Sequence, residues 1–162
     1  MRIALMIIDM QKAFYEGYSK ISMDSAVEYI NAAIEMFRDK KLPIIWVQDN
    51  DSVAPGEVGF ELIDQLEPQE KDYRIIKEYG NSFNKTECAN IIKEEKIDTI
   101  IITGYCAEYC VLSTYRGALD IDIVPIIFRG SIASGEKENI RFVESISDIA
   151  SYQVLKKLIK ES

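Results

Sequence analysis

Three side chains of different chemistry stand where apolar runs of this chain stop. Asp9 closes the run Ile3 to Ile8, and Lys77 follows the brief stretch Arg74 to Ile76. Cys110 lies six residues past Gly104, which ends the run Thr99 to Thr103. A thiol becomes a nucleophile when a nearby carboxylate takes its proton, and an ammonium group can hold the charge that results. Ligands of open parallel sheets collect beyond the carboxyl ends of the strands, so these three residues point to one crevice. Cys110 is also expected in the opening turn of a helix. Unpaired N–H groups and the dipole there favour a thiolate and could hold the oxyanion of a tetrahedral intermediate. Taken singly, each residue has an ordinary reading. Asp9 is a strand-ending carboxylate, Lys77 a solvated lysine and Cys110 a small buried hydrophobe. Their shared position at strand ends makes the functional reading the better one.

The composition removes the usual partners of a catalytic thiol. The 162 residues include no histidine, which excludes Ser-His-Asp and Cys-His pairs and His-ligated zinc or iron. Asp and Glu outnumber Lys and Arg by 27 to 19, a formal net charge of −8 that disfavours a polynucleotide partner. Hydrophobic residues make up 48% of the chain, enough to bury a core of ordinary size. No apolar stretch approaches the roughly 18 residues of a membrane span. The opening MRIALMIIDM contains an Asp and no cleavage site, so no secretory leader is expected. Three cysteines, Cys88, Cys106 and Cys110, cannot all pair within the chain, and a reducing, cytoplasmic setting follows. Cys106 and Cys110 form a CxxxC rather than a CxxC spacing, so a thiol redox role ranks last.

The elements that must position these groups alternate along the chain. Ile3 to Ile8 reads as a strand buried on both faces, and Met23 to Lys40 as an amphipathic helix carrying Ala26, Ile30, Ala33, Ile34 and Phe37. Pro43 opens a second strand, Ile44 to Val47, ahead of a loop over Ser52 to Gly59 and a short helix over Phe60 to Leu66. A brief strand, Arg74 to Ile76, precedes a helix over Lys85 to Lys96. The strand Thr99 to Thr103, the helix Ala107 to Leu119, the strand Ile123 to Phe128 and the helix Lys137 to Ile146 follow. A short strand near Asp148 to Tyr152 and a last helix, Gln153 to Ile159, complete the pattern. Strands separated by helices predict one α/β domain over residues 1–162, a three-layer α/β/α sandwich on a mainly parallel sheet.

The segment Ala4 to Phe14, then Ile75-Ile76-Lys77 with Asn81-Ser82-Phe83 and Thr86, and then Gly104 with Cys110-Val111, Thr114 and Ala118 resemble the isochorismatase-like cysteine hydrolases, which include nicotinamidases and other amidases. The resemblance spans nearly the whole chain. It implies a six-stranded parallel sheet flanked by helices and an Asp-Lys-Cys triad at Asp9, Lys77 and Cys110. It further implies a cis peptide between Tyr105 and Cys106, an oxyanion hole from the N–H groups of Cys106 and Cys110, and assembly into dimers or larger homo-oligomers.

Departures from that pattern narrow the expectation. Nicotinamidases hold a metal on an Asp and several histidines after the second strand; here the segment reads Gln48-Asp49-Asn50-Asp51. Asp49 matches, every histidine is missing, and Asp49 with Asp51 reads better as a solvated acidic loop than as a cation site. No metal and no cofactor is therefore expected. Isochorismatases proper act on a vinyl ether and lack the cysteine, so Cys110 argues against that reaction. The substrate pocket is expected to be lined by Phe14, Trp46, Phe83, Tyr105 and Tyr109, walls that suit a small planar or apolar amide. Glu108 either faces a substrate amine or lies in solvent, which the sequence does not decide, and roles for Cys88 and Arg129 do not emerge from it. The expected function is hydrolysis of an amide or imide C–N bond of a small molecule through a Cys110 thioester. The alternative is a family member that has lost turnover and serves as a binding or assembly subunit.

Overall fold

The apolar runs pair side by side in one six-stranded sheet of order β3-β2-β1-β4-β5-β6, parallel throughout. The structure is a computed structural model describing residues 1–162. Its strands are β1 (Ile3–Ile8), β2 (Ile44–Asp49), β3 (Tyr73–Lys77), β4 (Thr99–Tyr105), β5 (Val124–Ala133) and β6 (Ile149–Ala150). The helices are α1 (Gly17–Asp39), α2 (Cys88–Glu94), α3 (Leu112–Leu119), α4 (Lys137–Ser145) and α5 (Tyr152–Lys160). No helix is long and apolar enough to cross a membrane.

Strand residues alternate between two buried layers because successive side chains point to opposite faces of a sheet. Ile3, Leu5 and Ile7 of β1 pack with Ile44 and Trp46 of β2 against α1 and α5. Ala4, Met6 and Ile8 pack with Ile45 and Val47 against α2, α3 and α4. The result is the expected three-layer α/β/α sandwich. The chain leaves β1 for β2 on one side while β4 lies on the other, so the strand order reverses between β1 and β4 and opens a crevice at their carboxyl ends. Gly104 brings the backbones together there. Its φ is +111°, and a Cβ at this position would lie 2.1 Å from the Ile8 carbonyl oxygen.

Several boundaries differ from the sequence expectation. Helix α1 begins at Gly17 rather than Met23; its opening residues, Gly17 to Ile21, lie mostly at the surface and carry no apolar periodicity. The expected helix over Phe60 to Leu66 is absent, and only Val58–Phe60 forms a 3-10 turn. That segment's backbone bonds go elsewhere, from Lys12 N–H to Glu61 O (2.9 Å) and from Ile63 N–H to Met10 O (3.0 Å). Helix α2 spans only Cys88–Glu94, short of the expected Lys85 to Lys96, whose two end residues have left-handed φ of 55°. Strand β2 extends through Asp49 and β3 through Lys77. Strand β5 runs past Phe128 to Ala133, with a register shift against β4 and Gly130 at φ +87°. Arg129 is an exposed residue of that irregular stretch, which accounts for the Arg129-Gly130 pair without a part in the site.

Candidate active site

The carboxyl ends of β1, β2 and β3 and the start of the helix after β4 meet at one buried ammonium group. Lys77 ends β3 in register with Asp49 on β2, and its side chain is fully buried. Lys77 Nζ lies 2.8 Å from Asp9 Oδ2, 3.3 Å from Cys110 Sγ and 3.9 Å from Asp49 Oδ1. Asp9 follows β1 directly and has φ +50°, a left-handed conformation uncommon for a residue with a side chain. Its N–H donates to Val47 O (2.9 Å) and its carbonyl accepts from Gln11 N–H (2.8 Å), which fix the turn. Cys110 lies in a π-helical turn, Ala107–Val111, that leads into α3. Tyr105 and Cys106, which precede this turn, are joined by a cis peptide bond, as the resemblance implies.

Burial sets the protonation of these groups. It pushes the Asp9 carboxyl up to about 6, against the opposing pull of Lys77. Burial also works against the Lys77 ammonium, but Asp9 and Cys110 outweigh it and hold the group above its ordinary range. The Cys110 thiol is pushed up to about 12, first by burial and then by the Asp9 charge, with Lys77 opposing. This is the opposite of the thiolate-favouring direction expected at a helix start. The resting arrangement is a neutral thiol beside a carboxylate–ammonium pair. Asp9 Oδ1 has no hydrogen-bond partner although it is buried.

A cavity of about 480 Å³ opens on this group and is lined by Asp9, Cys106 and Cys110 together with Phe14, Tyr105 and Tyr109. Phe14 stacks on Tyr105 with ring centroids 5.3 Å apart, and Tyr109 stands exposed at the mouth. Two expected wall residues are elsewhere. Trp46 is fully buried in the layer under α1 and α5, and its Nε1 donates to Asp72 Oδ2 at 2.9 Å. On β2 it has the opposite parity from Asp49, so it faces away from Lys77. Phe83 packs into the layer of α2 and α3 rather than into the cavity. Its neighbours hold the loop after Lys77 in place: Thr114 Oγ1 on α3 accepts from the Ser82 N–H (3.0 Å), and Asn81 Oδ1 accepts from the Phe83 N–H (3.0 Å).

Sequence reasoning missed part of the wall. Glu78, Tyr79 and Gly80, directly after Lys77, and Ser52, after β2, also line the cavity. They occupy strand carboxyl ends, the same signal that marked Asp9 and Lys77. Glu108 lines it as well, and both its oxygens accept from Ser134 Oγ (3.0 and 2.7 Å) while Oε1 accepts from Asn139 Nδ2 (2.9 Å). Cys106 Sγ lies 3.8 Å from Ser134 Oγ, and burial followed by Glu108 pushes its thiol up to about 11. Cys88 is buried under α2, which pushes its thiol up to about 12.

The donor set at Asp49 does not fit a divalent cation. Its Oδ2 accepts from the Ser52 N–H (3.0 Å), its Oδ1 faces the Lys77 ammonium, and no group of three or more His, Cys, Asp or Glu side chains is arranged to hold a metal ion.

Comparison with known proteins agrees with this architecture. The chain is 29% identical over 119 residues to an uncharacterised isochorismatase family protein of Bacillus subtilis, covering 70% of this chain and 64% of that one. It thus spans a little under two thirds of that relative's length. It is 24% identical over 165 residues to the ureidoacrylate amidohydrolase of Klebsiella pneumoniae, covering 76% of this chain and 70% of the relative. The crystal structure of an isochorismatase-like hydrolase from Alkaliphilus metalliredigens superposes with a TM-score of 0.87 at 22% identity over 99% of each chain, a likeness of fold. Residues 3–143 match the model of the isochorismatase domain, and the chain therefore belongs to the isochorismatase family.

Proposed function

We propose that this protein hydrolyses an amide or imide C–N bond of a small molecule through a thioester on Cys110, without a metal ion. One observation carries the proposal: Lys77 Nζ is within hydrogen-bonding reach of both Asp9 Oδ2, at 2.8 Å, and Cys110 Sγ, at 3.3 Å. Family membership and an amidohydrolase among the relatives support C–N bond hydrolysis as the reaction class.

The steps follow from charge. With Asp9 ionised, Lys77 protonated and Cys110 neutral, the three groups carry no net charge. Moving the thiol proton to Asp9 keeps that sum at zero, so burial does not oppose the transfer as it opposes ionisation of the thiol alone. Cys110 Sγ then bonds to the substrate carbonyl carbon, and the N–H groups of Cys106 and Cys110 hold the oxygen as it becomes an oxyanion. Collapse breaks the C–N bond, and the proton on Asp9 goes to the departing nitrogen. A water gives a proton to Asp9 and attacks the thioester carbon. The acid leaves, and the proton returns to Cys110. Lys77 remains protonated throughout and faces the negative charge wherever it resides.

The experiment is acid quenching during turnover of a panel of small amides, followed by mass spectrometry. An acyl adduct on the Cys110 peptide that hydroxylamine removes is expected. Turnover with a subunit acylated at another residue would overturn the proposal. Absence of turnover for every amide, with Cys110 no more reactive than Cys88, would favour the binding or assembly subunit.

A further inference from the structure

We infer that the cavity takes an amide that carries a cationic group, a protonated amine or guanidinium, and that Glu108 is the specificity-determining residue facing that cation. The inference rests on the hydrolase reading and names its substrate class.

Five carboxylates line the cavity, Asp9, Asp49, Asp51, Glu78 and Glu108, and no lysine or arginine does. Lys77 lies behind the wall and forms salt bridges with Asp9 and Asp49. Asp51, Glu78 and Glu108 form none. Lys85 Nζ bonds the hydroxyl of Tyr79, a cavity residue, at 3.1 Å and lies 5.0 Å from that ring's centroid.

Glu108 differs from the two exposed carboxylates in being held. Ser134 and Asn139 donate to it, and both are uncharged, so they orient the carboxylate and leave its charge in place. Burial works against that charge, yet hydrogen bonds from Cys106, its own backbone, Ser134 and Asn139 keep the group below the ordinary carboxylate range. An ionised, oriented carboxylate two residues from the backbone N–H of Cys106 suits a cation at a fixed distance from the scissile carbonyl. Asp9, only 1% exposed, also lines the cavity, and its carboxylate faces the Cys110 thiol whose proton it takes. The net charge of −8 extends the same preference beyond the pocket.

The test reads selection at Cys110 with and without turnover. Methanethiosulfonate reagents of similar size, one bearing trimethylammonium and one sulfonate, are reacted with the protein, and Cys110 modification is followed by mass spectrometry. The cation-to-anion rate ratio, normalised to 2-mercaptoethanol, is expected to be about tenfold or more. Glu108→Gln should lower it by at least about threefold, the effect of one unit charge roughly 6 Å away in a water-like medium. Glu78→Gln, at an exposed position, provides a second reading that does not depend on the Ser134 and Asn139 contacts. A normalised ratio near one, a ratio unchanged in both variants, or no modification of Cys110 would overturn the inference. In the second arm, 4-aminobutanamide should be hydrolysed with higher kcat/KM than pentanamide, and pentanamide with higher kcat/KM than 4-carbamoylbutanoate; the reverse order would overturn it. Hydrolysis of none of the three, with the labelling ratio intact, would count against the hydrolase reading while upholding cation selection.

Discussion

Lys77 Nζ lies 2.8 Å from Asp9 Oδ2, with 0% of the lysine side chain and 2% of the aspartate side chain exposed. Neither charge has water to fall back on, so each exists in the folded protein because of the other. Lys77→Met leaves Asp9 as an unpaired buried carboxylate. It should cost about 3–5 kcal/mol of stability in urea unfolding. Adding Asp9→Asn should recover a large part of that loss, and a double-mutant cycle showing no coupling would contradict the pairing.

The raised Asp9 carboxyl makes activity depend on pH in a definite direction. The proposed base is competent only when ionised, so kcat/KM should fall about tenfold per unit below a pH of about 6 and level off above it. With the Cys110 thiol near 12, no second limb is expected below about pH 10. A profile that instead rises through pH 8 to 9 would mean a free thiolate does the work.

Stability should carry the same signature with its own sign. The Asp9 carboxyl is raised from 3.8 to about 6 on folding, so the folded state holds that proton more tightly. Its contribution is fully present below pH 3.8 and is lost as pH rises through about 6. The change amounts to about 3 kcal/mol, and subtracting the pH curve of Asp9→Asn isolates it from other groups. Parallel curves for wild type and variant would contradict the assignment.

Gly104 is predicted to tolerate no side chain. A Cβ would meet the Ile8 carbonyl oxygen at 2.1 Å, a backbone atom that β1–β4 pairing holds in place. Gly104→Ala should cost about 3 kcal/mol or more, combining left-handed strain with overpacking. Gly56→Ala provides the control: its φ is +95° with nothing within 4 Å, so strain alone applies, about 1 kcal/mol. Thermal unfolding of the two variants checks the difference.

The strands nearest the site were the most legible part of the sequence. The Ile3 to Ile8 and Thr99 to Thr103 runs are apolar because helices cover both faces of a parallel sheet, and that signal needs no tertiary information. The Phe60 to Leu66 stretch forms no helix because Met10 and Lys12 take its backbone bonds, a tertiary effect the sequence does not carry. The extension of β5 through Gly130 was illegible because it depends on a register shift against β4. That Asp9, Lys77 and Cys110 meet is legible from two strand ends, the turn after Gly104 and the family resemblance. Trp46 does not reach the wall, because its parity on β2 is opposite to that of Asp49. The sequence leaves Glu108 between a substrate amine and solvent, because what orients its carboxylate is Ser134, just past β5, and Asn139 on α4.

The central claim is that Cys110 forms the covalent bond, and the most direct test is the turnover of Cys110→Ala on an amide the wild type hydrolyses. Cys106, the other thiol lining the cavity, is engaged with Ser134 and Glu108 and has no contact with Lys77, so kcat should fall by about 10⁴-fold or more while the unfolding curve stays close to that of the wild type. Undiminished turnover in Cys110→Ala would contradict the account.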